Sequence, residues 1–127
     1  MVSASGRPND EALAAEVTPT RLRRPADVRL VMREGRRVPE PWIVLHVLPR
    51  EGEGVRSAYV ASRSVGGAVA RNQARRRMKE AWRQVALTTG GGFDVVLVAR
   101  PEIGHAKTPD LVPSIRRGLA RAGVMEA

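Results

Sequence analysis

Between residues 63 and 83 the chain carries Arg63, Arg71, Arg75, Arg76, Arg77, Lys79 and Arg83, with Glu80 as the one acid. On a helix turning about 100° per residue, with Arg71 at zero, Ala74, Met78, Ala81 and Val85 fall between about 280° and 340° and Trp82 at the edge of that stripe. Asn72, Arg75, Arg76, Lys79 and Arg83 fall between about 40° and 140°. One face is therefore built to pack, and the face beside it is almost wholly cationic. Arg77 lies outside that arc and is expected to be solvated. Arg75 and Lys79 repel one another across one turn, by about 0.3 kcal/mol, which Arg76 and Glu80 partly offset. A helix that keeps such repulsion on one face is better explained by a partner than by its own stability. Guanidinium groups match phosphate oxygens through forked hydrogen bonds, and Asn72 could add a neutral contact to a backbone or base. Gly66-Gly67, just before the helix, would leave N–H groups free at its positive end. The chemistry on offer is phosphate recognition.

Chemistry of other kinds finds no residues. There is no cysteine, which excludes disulfides, thiolate metal sites and thiol catalysis. His46 and His105 have no ligand spacing, and neither Lys79 nor Lys107 follows a P-loop. The carboxylates are scattered, with no pair suited to two-metal nuclease chemistry. No catalytic residue and no protein-held metal is expected.

Charge points the same way. Of the 127 residues 22 are basic, 20 of them arginine, against 13 acidic, for a net charge of +9. Residues 21–37 carry a net +5 and residues 63–83 a net +6, and the remainder nearly cancels. Neither block holds enough acid to pair with itself, so both favour a polyanion. The longest run from the hydrophobic set, Val95 to Ala99, is too short for a bilayer, and the N-terminus does not read as a secretory signal. A soluble, cytoplasmic, nucleic-acid-binding protein is expected.

These residues need elements to hold them. Residues 1–20 are small, polar and aperiodic and predict a disordered tail. Pro25 suits a first helical turn and Gly35 a C-terminal cap, so a short helix is expected between them, with Leu22, Val28, Val31 and Met32 roughly on one face. Residues 36–40 link onward as an extended segment, an optional short strand. Trp42 to Leu48 and Val55 to Ser62 are strand-like, and the Gly-containing loop between them predicts an antiparallel hairpin. Ala68 to about Leu87 is a long helix free of Pro and Gly. Phe93 to Arg100 is an apolar strand ended by Pro101. A last helix opens at Thr108 or Pro109, with Leu111, Ile115, Leu119 and Ala122 at helical spacing until Gly123. The order is α-β-β-α-β-α, with the extra strand optional. It describes an α+β sandwich, helices on a small sheet, in one domain over residues 21–123, followed by a tail at 124–127.

The run Ser62-Arg63-Ser64-Val65-Gly66-Gly67-Ala68-Val69-Ala70-Arg71-Asn72-Gln73-Ala74-Arg75-Arg76-Arg77-Met78-Lys79-Glu80-Ala81-Trp82-Arg83 resembles the signature of the bacterial ribonuclease P protein subunit. Leu22 to Gly35 is similar to that family's first helix, and Phe93 to Arg100 resembles its apolar strand. The resemblance spans about residues 21–123. Departures are local. Gln73 stands where the family usually has Arg, Ser64 replaces a basic residue and Gly67 replaces Asn. Val28, Met32 and His46 stand where aromatics are common, so the helix matches well and the aromatic cleft poorly.

The resemblance implies a small α/β sandwich like the second domain of a small-subunit ribosomal protein, with a left-handed β-α-β crossover through the arginine helix. General rules would give a right-handed one. It implies 5′ maturation of precursor tRNA by a catalytic RNA subunit, with Mg²⁺ held mainly by RNA and substrate. Arg63, Arg71, Asn72, Arg75, Arg76, Lys79 and Arg83 would bind that RNA, and Val28, Met32 and His46 would line the path of the 5′ leader. Three other readings compete: a helix-turn-helix DNA binder, a basic ribosomal protein, and a membrane-surface helix, whose apolar face here is mostly Ala.

Overall fold

The computed structural model describes residues 20–22, 24–52, 54–86 and 92–125. The expected tail at residues 1–19 lies outside them, as do Leu87 and the glycines at 90 and 91. In chain order the elements are β1 (Thr20–Arg21), α1 (Pro25–Glu34), β2 (Arg36–Glu40), β3 (Ile43–Pro49), β4 (Val55–Val60), α2 (Ala68–Ala86), β5 (Phe93–Ala99), a 3-10 turn (Pro101–His105) and α3 (Thr108–Arg121). They form an α+β sandwich around one five-stranded sheet of order β1-β4-β5-β3-β2. Among the described residues no helix is long and apolar enough to cross a membrane.

β5 lies at the centre because its residues need cover on both sides. Val95, Val96 and Leu97 are all fully buried. It runs antiparallel to β3 and parallel to β4, with α2 as the crossover from β4 to β5. The hairpin expected from Trp42–Leu48 and Val55–Ser62 is therefore not formed: β5 separates the two strands. Strands about 4.8 Å apart leave the outer pair about twice that distance apart, which the loop at residues 50–54 spans. It is pinned to the start of β5 by Arg50 N–H to Gly92 O at 3.1 Å and Phe93 N–H to Gly54 O at 3.3 Å. A Cβ on Gly92 would stand 2.3 Å from Gly52 O, so only glycine allows that crossing.

The true hairpin is β2–β3, paired from Arg36 opposite Val47 to Glu40 opposite Ile43. Its two-residue turn is Pro41-Trp42. Trp42 has φ 75° where glycine or asparagine is usual, and its ring packs on the core.

The sheet has two covered faces. On one, Ile43, Leu45, Val47, Phe93, Val95 and Leu97 meet Met78, Trp82 and Val85 of α2 and Leu111, Ile115 and Leu119 of α3. On the other, Leu22, Val31, Ala58 and Val96 form a smaller cluster beneath α1. α1 begins at Pro25 and is capped by Gly35 N–H to Val31 O at 2.8 Å. Gly35 has ordinary extended backbone. It is required for space, since a Cβ would stand 2.6 Å from Val31 O and 2.9 Å from Val47 O. Two expected tails are shorter than predicted: Thr20 belongs to β1, and Val124 and Met125 pack against the core.

Candidate nucleic-acid interface

α2 forms over the predicted residues because Ala68–Ala86 contains neither Pro nor Gly and its apolar positions repeat at the helical period. Ala74, Met78, Ala81 and Val85 are buried as the wheel requires. Trp82, predicted at the stripe's edge, is buried too, and its indole N–H has no partner among the described residues. The turn before α2 is made by Val65 N–H to Ser62 O and Gly66 N–H to Arg63 O. Gly66 has φ 143°, a conformation in which a side chain is strained.

The neighbouring face of α2 is cationic. Arg63, Asn72, Arg76, Lys79 and Arg83 are exposed, and Arg71 and Arg75 half-buried. Arg75 donates a hydrogen bond to Asn72 Oδ1. Arg83 has Glu80 at 3.6 Å on open surface, a pair worth little. Among the described residues no carboxylate pairs with Arg63, Arg71, Arg76, Arg77 or Lys79. Arg77, expected to be solvated, is half-buried, because it borders the packed stripe on the side away from the cationic arc.

Val28, Met32 and His46 lie on the other side of the sheet, where α1 crosses β3 and β5. Met32 is exposed, Val28 half-buried against the smaller core cluster and His46 only 8% exposed. His46 stands opposite Arg37 of β2. Its Nδ1 is buried and has no hydrogen-bond partner among the described residues. Burial, aided by the Arg37 charge, lowers its pKa from the usual imidazole value. The ring is enclosed rather than offered for stacking.

Two carboxylates that the sequence reading did not single out organise four arginines. Asp94 on β5, 4% exposed, accepts from Arg50 Nε at 2.8 Å and from Arg56 Nε and Nη2 at 2.8 and 2.7 Å. Burial alone would raise its pKa, but the hydrogen bonds from Arg56 and Arg50 outweigh that and hold it below the usual carboxylate value. Glu40 on β2, 5% exposed, accepts from Arg117 Nε at 3.0 Å and Arg121 Nη1 at 2.7 Å, tying α3 to the hairpin. A lone acid inside an apolar strand was the available signal for Asp94. Among the described residues no three His, Asp or Glu side chains gather as a metal site, and the two buried acids are already occupied by guanidinium groups. Neither Asp94 nor Glu40 is therefore free to hold a Mg²⁺ ion.

Fold and site together define a small basic α+β sandwich that displays the unpaired cations of its crossover helix. The helix-turn-helix reading is excluded, because Val55–Val60, just ahead of the turn, is a strand. The family model for ribonuclease P matches residues 18–123. The ribonuclease P protein component of Chloroflexus aurantiacus is 42% identical over 108 residues, covering 84% of this chain and 80% of that protein. That of Gluconacetobacter diazotrophicus is 38% identical over 109 residues, covering 84% and 94%. The structure of the Staphylococcus aureus RNase P protein superposes with a TM-score of 0.72 at 22% identity, over 86% of this chain and 100% of that one, a likeness of fold. The Thermotoga maritima RNase P protein gives 0.69 at 25% identity, over 80% and 96%. The chain belongs to the ribonuclease P protein family, and with that family comes a role in tRNA processing.

Proposed function

We propose that this chain is the RNA-binding subunit of a cytoplasmic ribonuclease P, in which a catalytic RNA removes the 5′ leader of precursor tRNA. The observation that carries this reading is the α2 face, where Arg71, Arg76 and Lys79 meet no carboxylate among the described residues, beside the packed stripe of the same helix. Arg63, Arg71, Asn72, Arg75, Arg76, Lys79 and Arg83 neutralise phosphates of the RNA subunit. The leader passes the α1 side of the sheet by Val28 and Met32, with His46 beneath them. Val28 has no aromatic face, so charge and shape hold the leader more than stacking does. Mg²⁺ belongs to the RNA and the substrate, and the protein's part is to lower phosphate repulsion between two RNAs.

Reconstitution with the cognate ribonuclease P RNA tests the reading. At low Mg²⁺, where repulsion is least screened, the protein is expected to raise precursor-tRNA cleavage, and Arg71→Ala/Arg76→Ala to lose most of that gain. Cleavage indifferent to added protein would contradict it.

A further inference from the structure

The second cationic block, residues 21–37, begins on the edge strand of the sheet that α2 covers. Thr20–Arg21 adds to the outer edge of β4 as a parallel strand, with Arg21 opposite Ser57. Leu22 N–H donates to Ser57 O at 2.7 Å. The Leu22 side chain is buried with Val31, Ala58 and Val96 on the α1 side of the sheet. Successive residues of a strand point to opposite faces, so Arg21 stands on the α2 side. There the hydroxyls of Ser57 and Tyr59 lie 2.9 Å apart, and Tyr59 packs on the larger core. Burial pushes the Tyr59 phenol up to about 12, and the charges of Arg21 and of Arg83 both oppose that rise. Arg21 thus stands at the edge of the sheet face that α2 covers. Arg21 is exposed, and among the described residues no carboxylate pairs with it.

We propose that Arg21, placed on the α2 side of the sheet by the β1 edge strand, is a phosphate contact that continues the cationic face of α2 across the sheet edge onto the same RNA. This rests on the reading of α2 as the surface for the RNA subunit. Arg21 meets no carboxylate among the described residues, and a phosphate would accept paired, forked hydrogen bonds from its guanidinium group. Leu22 is a positioning residue: it is buried, touches no RNA and acts by docking β1.

The test is binding of the full chain to ribonuclease P RNA over a series of monovalent salt concentrations, with a melting curve for each variant. Arg21→Ala is expected to flatten the log–log salt dependence by about 0.7–0.9 and to weaken binding about five- to eightfold at 0.1 M salt, taking that effect to vanish near 1 M. Its melting temperature should match the wild type. Arg116→Ala, an exposed cation on α3 that removes the same charge, should leave the slope unchanged. Leu22→Ala should copy the slope change, and adding it to Arg21→Ala should cost no further slope. Where Leu22→Ala lowers the melting temperature, Arg21→Ala carries the test alone. Arg76→Ala separates the two readings. If it flattens the slope while Arg21→Ala does not, the Arg21 contact is overturned and the α2 surface stands. If neither changes the slope, both fall. Weaker binding by Arg21→Ala at unchanged slope also overturns the contact, since a phosphate partner must release counterions.

Discussion

Arginine serves two purposes in this molecule, and the regions where it does so differ in their acids. Around Asp94 and Glu40, four arginines converge on two buried carboxylates, with every closest approach at or below 3.0 Å. On α2 and the turn before it, Arg63, Arg71, Arg76 and Lys79 meet no carboxylate among the described residues. The first arrangement ties the 50–54 loop to β4 and β5, and α3 to β2. The second leaves exposed or half-buried cations that have no counter-charge among the described residues. Residue type does not distinguish the two sets; the presence of a buried acid does. The family's role in tRNA processing is consistent with which set is left open.

Removing a clamp should have the largest effect. Asp94→Ala would leave Arg50 and Arg56 partly buried without the carboxylate they both bond, and such a loss costs about 3 kcal/mol once the remaining exposure of the arginines is allowed for. Urea unfolding should show that loss, while the folded fraction binds RNA with the wild-type salt slope.

A smaller effect is expected at the cleft. Val28→Phe should strengthen binding of long-leader precursors by about 1 kcal/mol, the low end of base–aromatic stacking, because Val28 is half occupied by core contacts. Precursors with long and minimal leaders measure it. An unchanged leader dependence would take Val28 out of the cleft.

The smallest effect concerns pH. The pKa of His46 is lowered in the folded state, so below about 6.5 the unfolded chain takes up the proton more readily and stability falls with pH. Asp94, whose folded pKa is also lowered, contributes stability that is present above about 4 and lost as pH falls through its depressed value. Melting curves from pH 8 to 3 should show both losses, and His46→Gln should remove only the upper one.

Much of α2 was legible in advance, because a period of 3.6 and the absence of Gly and Pro are local signals. β5 was legible from its apolar run, and α1 from Pro25 and Gly35. What was hidden depends on distant residues. The Glu51–Gly54 loop looks like a hairpin turn, yet it straddles β5, while the real turn carries Trp42 at a positive φ that its sequence does not announce. β1 is two residues long and is held by an edge hydrogen bond and the burial of Leu22. The carboxylate clamps join residues as far apart as Glu40 and Arg121, beyond any spacing rule. His46 was placed correctly on a strand, but its enclosure depends on α1 and β2.

The central claim is that unpaired arginines bind RNA and clamped ones hold the fold. The most direct measurement compares Arg76→Ala with Arg117→Ala, each by the salt dependence of binding to ribonuclease P RNA and by its melting curve. Arg76→Ala is expected to flatten the log–log slope by about 0.7–0.9 with an unchanged melting temperature. Arg117→Ala, which frees one side of Glu40, is expected to cost about 1 kcal/mol of stability and leave the slope alone. Equal slope changes from the two would contradict the account.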